Sequence, residues 1–158
     1  MIFFFDDVLR NPDEYVDDIL DNGFIDFNDG HQVFKRVMPR GLDEFTSFLL
    51  ENYSDYEVAL SFARQSPEGQ EEPNYIHTDE MMGDLTAVLY LNKEHPIQYG
   101  TTVYDDDDNI LYINHARYNS CFVFSSDLPH SRNLESNFGD GDDSRLVQVV
   151  FLKKKKYE

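Results

Sequence analysis

The sequence predicts an α+β domain: a double-stranded β-helix, or jelly-roll, core with helices from the N-terminal side packed on its outside. Three observations predict it. Two helical patterns come first. About seven or eight short apolar segments follow Asn52, separated by turn residues and with no long helix between them. The final apolar run, 145–153 (RLVQVVFLK), would lie beside the first strand of the core, as a jelly roll requires.

Each element has a local reason. Ile2–Phe5 reads as a short buried strand. Asn11-Pro12-Asp13-Glu14 is a helix start, with a capping Asn, proline at the first helical position and acids in the first turn. Tyr15, Val16, Ile19 and Leu20 recur at helical spacing until Gly23. A second helix spans about 42–51 and buries Phe45, Phe48 and Leu49. Strands are expected at 57–64, 75–79, 85–92, Gly100–Tyr104, 110–113, Ser120–Ser125 and 145–153. Residues 66–74, with Pro67, Gly69 and Pro73, read as a loop. One domain is expected over 1–152, divided into a helical lead-in (1–56) and the jelly-roll core (57–152), with a basic tail at 153–158.

Composition excludes several classes. The net charge is −18, and Lys153 to Lys156 supply four of only 13 basic side chains. Such a surface repels a phosphate backbone, so nucleic acid is not an expected partner. No apolar run approaches the roughly 20 residues of a membrane span. The start, MIFFFDD, lacks the basic segment of a secretory leader. The single cysteine, Cys121, rules out an internal disulfide, and a reducing, cytoplasmic setting is the expectation. The Asp105–Asp108 run lacks the glycine of an EF-hand loop. No phosphate-cradling glycine loop and no nucleophile elbow is present.

The residues that carry chemistry are few. On a strand, His77 and Asp79 point to the same side and Thr78 points away. Two imidazoles and one carboxylate can hold one face of iron(II) and leave the other open. His-x-Asp alone is weak, with roughly 0.6 such pairs expected by chance in so acidic a chain. Its context adds weight. His130 follows SCFVFSSDLP, just past a strand, and is the candidate third ligand, with His115 as its best rival. Arg145 opens an otherwise apolar strand that holds no carboxylate, so a bound anion could be its partner. Arg132 is a rival for that anion. A zinc set of the same residues would suit hydrolysis instead.

Taken in order, these segments resemble the prolyl 4-hydroxylase-type 2-oxoglutarate- and iron(II)-dependent dioxygenases over roughly residues 57–153. His77-Thr78-Asp79 matches the family's His-x-Asp. LTAVLYLNK (85–93) resembles its next strand, where a tyrosine matching Tyr90 bonds the far carboxylate of 2-oxoglutarate. Gly100-Thr101 resembles the step opening the following strand. FVFSSDLPHS (122–131) resembles the segment with the distal histidine, and SRLVQVVFL (144–152) the last strand, with its co-substrate-pairing basic residue at Arg145. The His130–Arg145 spacing is longer than usual, and a second co-substrate tyrosine has no clear match, although Tyr75 lies close.

The resemblance implies Fe(II) held by His77, Asp79 and His130, with 2-oxoglutarate held by Arg145 and Tyr90. It also implies dioxygen as oxidant, and ascorbate where the family uses it. Hydroxylation of a prolyl or other amino-acid side chain is then expected, in a peptide, a protein or a free amino acid, with succinate and carbon dioxide as co-products. The alternatives are a cupin-like metal-dependent hydrolase or isomerase, and a non-catalytic acidic interaction module on the same barrel.

Overall fold

The computed structural model describes residues 1–30, 33–70, 74–96, 98–133 and 137–156. The chain opens with strand β1 (Ile2–Phe5) and helix α1 (Pro12–Asn22). Asn11 caps α1 as expected: its side-chain oxygen accepts the Glu14 N–H at 3.2 Å. A hairpin of β2 (Ile25–Asn28) and β3 (Val33–Pro39) follows, then α2 (Asp43–Asn52). The remaining strands are β4 (Tyr56–Ser66), β5 (Leu85–Tyr90), β6 (Gly100–Tyr104), β7 (Ile110–His115), β8 (Ser120–Ser125), β9 (His130–Arg132) and β10 (Arg145–Lys154).

These strands form two antiparallel sheets. The larger has seven strands in the order β1-β8-β5-β10-β4-β3-β2, and the smaller three in the order β7-β6-β9. The last strand does lie beside the first strand of the expected core: β10 pairs with β4 on one side and β5 on the other. Strand alternation then gives the larger sheet two faces. Leu146, Val150, Leu152, Ala87, Leu89, Cys121 and Val123 face one side, where α1 and α2 add Tyr15, Ile19, Phe45 and Leu49 to a closed core. Val147, Tyr90, Phe122 and Phe124 face the other, with Val103 of the smaller sheet packed against them.

The helix-side face also buries a polar group. Gln148 is fully buried, but its carbonyl accepts the Tyr15 hydroxyl. Its amide donates to the Leu42 carbonyl and to Ser61 Oγ, so no bonding capacity is stranded. Gly41 makes room for it: a Cβ there would come within 2.4 Å of Gln148 Nε2, and the backbone sits at φ +60°.

Three local expectations need revision. The β2–β3 hairpin was not expected. β2 is only four residues long and all four side chains are exposed, so the alternation of Ile25-Asp26-Phe27-Asn28 is too short to mark a strand by itself, and Asp29-Gly30 was the accompanying turn signal. His31, which follows Asp29-Gly30, lies outside the described residues, as does Pro73 of the expected loop. The segment expected as a strand at 75–79 makes a single bridge, His77 to His130, before a turn in which the Met82 N–H bonds the Asp79 carbonyl. That bridge pairs it with β9, a strand of only three residues that has no apolar signature. Among the described residues, no helix is long and apolar enough to cross a membrane.

Candidate metal centre

His77, Asp79 and His130 come together in space. Each offers one ligand atom, and these atoms lie within 4.8 Å of one another. The backbone sets this geometry. His77 and His130 exchange both backbone hydrogen bonds across their bridge, N to O at 3.0 and 2.9 Å, so their side chains leave the same face. Asp79 is fixed separately, its N–H donating to the Ser126 carbonyl at 2.9 Å. Ser126 is in turn held by Thr86, hydroxyl to hydroxyl at 2.9 Å.

The imidazole orientation is also set. Nδ1 of His77 lies 2.9 Å from the Tyr75 carbonyl, and Nδ1 of His130 lies 3.1 Å from that of Leu128. A carbonyl only accepts, so each Nδ1 carries a proton and each Nε2, the atom turned toward Asp79, is left as the one that can take a metal. The Asp79 oxygens stand 3.6 Å from Nε2 of His77 and 2.9 Å from Nε2 of His130. A carboxylate flanked by two imidazole nitrogens is matched by a positive charge, carried either on the rings or by an ion between them. A divalent ion that takes imidazole and carboxylate ligands supplies it, and the three residues fit one. Aromatic packing holds the rings in place, with His130 4.3 Å from His77 and 4.7 Å from Phe124, centroid to centroid.

Arg145 opens into the same cavity as the three ligands. It is 91% buried, and its Nε has no hydrogen-bond partner among the described residues. Its guanidinium carbon lies 5.0 Å from the ring centre of Tyr99, a cation–π contact. An unpaired buried guanidinium N–H is costly unless an anion meets it. Arg132 lines the cavity too, but its Nη1 donates to Asn137 Oδ1 at 2.9 Å.

Tyr90 stands one layer back. It is not among the residues lining the cavity; its hydroxyl lies 2.8 Å from Thr101 Oγ1 and accepts from Asn114 Nδ2 at 3.2 Å. Burial pushes its phenol well above the usual range, so it stays a neutral donor. Thr101, to which it points, does line the cavity. Gly100, which precedes Thr101, allows a close approach of strands: a Cβ there would fall 1.9 Å from the Asn114 carbonyl. Tyr75 supplies its carbonyl to His77, but its ring is exposed and does not line the cavity. His115 sits exposed on β7, opposite Gly100, outside the ligand group.

Sequence reading missed two contributors. Tyr99 supplies the ring beneath Arg145, and Asn92 clamps the backbone on both sides of it. Asn92 Nδ2 donates to the Ser144 carbonyl at 2.9 Å, and its Oδ1 accepts the Leu146 N–H at 2.7 Å. A buried asparagine at a strand end was the available signal for the second; Tyr99 carried none.

A larger antiparallel sheet facing a smaller one is the double-stranded β-helix fold found in 2-oxoglutarate- and iron(II)-dependent oxygenases. Solved structures bear that out at the level of the fold. SnoN, described as a non-heme alpha ketoglutarate dependent epimerase from nogalamycin biosynthesis, superposes with a TM-score of 0.66 at 12% identity, over 97% of this chain and 77% of its own. A second SnoN structure holds Fe3+, alpha ketoglutarate and nogalamycin RO. A prolyl hydroxylase from Trichoplax adhaerens, in complex with a hypoxia inducible factor peptide fragment, gives 0.64 at 13% identity over 97% and 83%. A prolyl-4-hydroxylase from Pseudomonas putida gives 0.61 at 13% identity over 98% and 93%. No protein-family model matches the sequence, and no curated protein is significantly similar to it.

Proposed function

We propose that this protein is an iron(II)- and 2-oxoglutarate-dependent oxygenase. One observation carries the reading: the three ligand atoms open into one cavity with a buried arginine whose Nε has no hydrogen-bond partner among the described residues. The ligand group alone would also suit zinc. Arg145 favours iron with a keto acid, because a dicarboxylate that also chelates the metal would meet both the ion and the guanidinium in one cavity.

His77, Asp79 and His130 would hold the metal through Nε2, a carboxylate oxygen and Nε2. When bound, iron(II) supplies the oxidative decarboxylation of 2-oxoglutarate to succinate and carbon dioxide, with dioxygen as oxidant. Arg145 would take the far carboxylate of the keto acid through paired N–H···O bonds, strengthened by burial. Tyr99 keeps the guanidinium flat against its ring, and Asn92 fixes the backbone that carries it. Thr101 would present its hydroxyl to the same carboxylate, with Tyr90 behind it setting that hydroxyl's orientation. Backbone acceptors at Tyr75 and Leu128 hold the histidine protons on Nδ1, away from the metal.

The motif resemblance supports an amino-acid side chain, prolyl first, as the group hydroxylated. The structural neighbours do not single it out, since by name one takes a peptide fragment and another nogalamycin. Calorimetric titration of 2-oxoglutarate into manganese-loaded protein tests the class. Saturable one-to-one binding, lost in Arg145→Ala and kept in Arg132→Ala, is expected. Absence of binding to the wild type overturns the reading. Loss in Arg132→Ala alone reassigns the carboxylate site.

A further inference from the structure

The cavity is not centred on the metal ligands. From His77, Asp79, His130 and Arg145 it runs across the open face of β10, β4 and β3 to Phe27 on β2, about 1110 Å³ in all. The reason is topological. The larger sheet has seven strands and the smaller three, so among the described residues no strand covers β4, β3 and β2. Their open side presents rings. Phe62 lies 6.5 Å from Phe151, tilted at 40°, and Phe34 lies 6.5 Å from Phe27 at 34°. The Arg64 guanidinium lies 5.2 Å from the Phe34 ring centre. Phe27 is 48% exposed and Leu60, on β4, 40%.

In a chain with net charge −18, a contiguous apolar wall open to water calls for an occupant. The fold does not need it, because the main apolar core lies on the other side of the sheet, under α1 and α2. The volume reaches the upper end of the range that drug-sized ligands fill, well beyond what a small keto acid uses. A peptide added as a strand could join only β2, the open edge of this sheet, because β4 and β3 are paired on both sides, and it would then lie beside the wall and not across it. A second copy of the chain would have to fit one concave wall against another, which are not complementary.

We infer that the substrate is a flat, mainly apolar small molecule lying across β4, β3 and β2, with Phe62 and Phe34 setting its fit, in place of the prolyl side chain that the motif resemblance alone favours. The word substrate rests on the oxygenase reading; the pocket and its ligand class do not.

The test uses an uncharged two-ring probe, N-phenyl-1-naphthylamine, titrated into protein loaded with metal and 2-oxoglutarate. One probe per chain is expected. Its NMR lines should broaden with manganese in the site and stay sharp with zinc, which places it beside the ligands. Phe62→Ser should weaken it about tenfold or more, from the lost burial of one ring. Phe34→Ser, on the exposed hairpin, should do the same and stands in if Phe62→Ser fails to fold. Leu111→Ser removes an exposed apolar side chain from β7 and should change nothing. Non-saturable binding, identical spectra with both metals, or a loss caused by Leu111→Ser would overturn the inference. So would displacement of the probe by proline-containing peptides alone, or a dimer in sedimentation that Phe62→Ser disperses. If 2-oxoglutarate does not bind and the probe results hold, the oxygenase reading fails and the pocket stands. If 2-oxoglutarate binds and the probe does not, this inference alone fails.

Discussion

On β10, neighbouring side chains live in different surroundings. Leu146, Gln148, Val150 and Leu152 point under the helices and are at most 1% exposed. Arg145, Val147, Val149 and Phe151 point into the open cavity. A two-residue period separates the two sets by nothing more than the direction of alternate Cβ atoms. The helix side is apolar and closed, and it buries a glutamine with every bond made, leaving the Tyr53 hydroxyl without a partner among the described residues. The cavity side holds a carboxylate set against two imidazole nitrogens and a guanidinium Nε–H with no hydrogen-bond partner among the described residues. One face supplies stability, and the other gives some of it up for binding.

Substitutions on the two faces should therefore behave oppositely. The largest effect is expected at Asp79. Asp79→Ala should cut manganese affinity by more than about 100-fold, since removal of an outer-shell partner alone costs 10- to 100-fold. Its melting temperature without metal should not fall. Leu89→Ala, fully buried under the helices, should cost about 2–5 kcal/mol in urea unfolding and leave 2-oxoglutarate affinity in the folded protein unchanged. Arg145→Met should do the reverse, abolishing 2-oxoglutarate binding while raising stability by about 1–3 kcal/mol, because an unmet buried donor is removed. A destabilised Arg145→Met would show that the guanidinium serves the fold, and the division between the faces would fail.

The helix-side face was the more legible of the two. Tyr15, Ile19, Phe45 and Leu49 announce themselves by helical spacing, and LTAVLYLN and RLVQVVFLK by apolar runs too long to be loops. His77, Asp79, His130 and Arg145 were legible as residues because each sits at the edge of such a run. Their mutual geometry was not. It depends on a single bridge between two segments more than 50 residues apart, and neither segment has the length or alternation of a strand. The β2–β3 hairpin was missed for a related reason: β2 is only four residues long, so the alternation of Ile25-Asp26-Phe27-Asn28 is too brief to stand out as a strand. The apolar wall it helps to build was hidden with it.

Asn92 tests where the two faces meet, and the smallest effect is expected there. Its side chain reaches from the end of β5 to both backbone groups flanking Arg145, and it touches neither ligand set. It is a positioning residue, and its removal should loosen the base of the arginine rather than delete the arginine. Asn92→Ala should lower stability by about 1 kcal/mol, because water can reach only part of what the amide satisfied. A purely structural role would stop there. A positioning role adds a loss of about tenfold in 2-oxoglutarate affinity with manganese affinity unchanged, since the bidentate fit of a guanidinium to a carboxylate tolerates little misplacement. If both affinities fall together, Asn92 supports the whole site and not Arg145 alone. If neither falls, the guanidinium is held by Tyr99 without help from the backbone clamp.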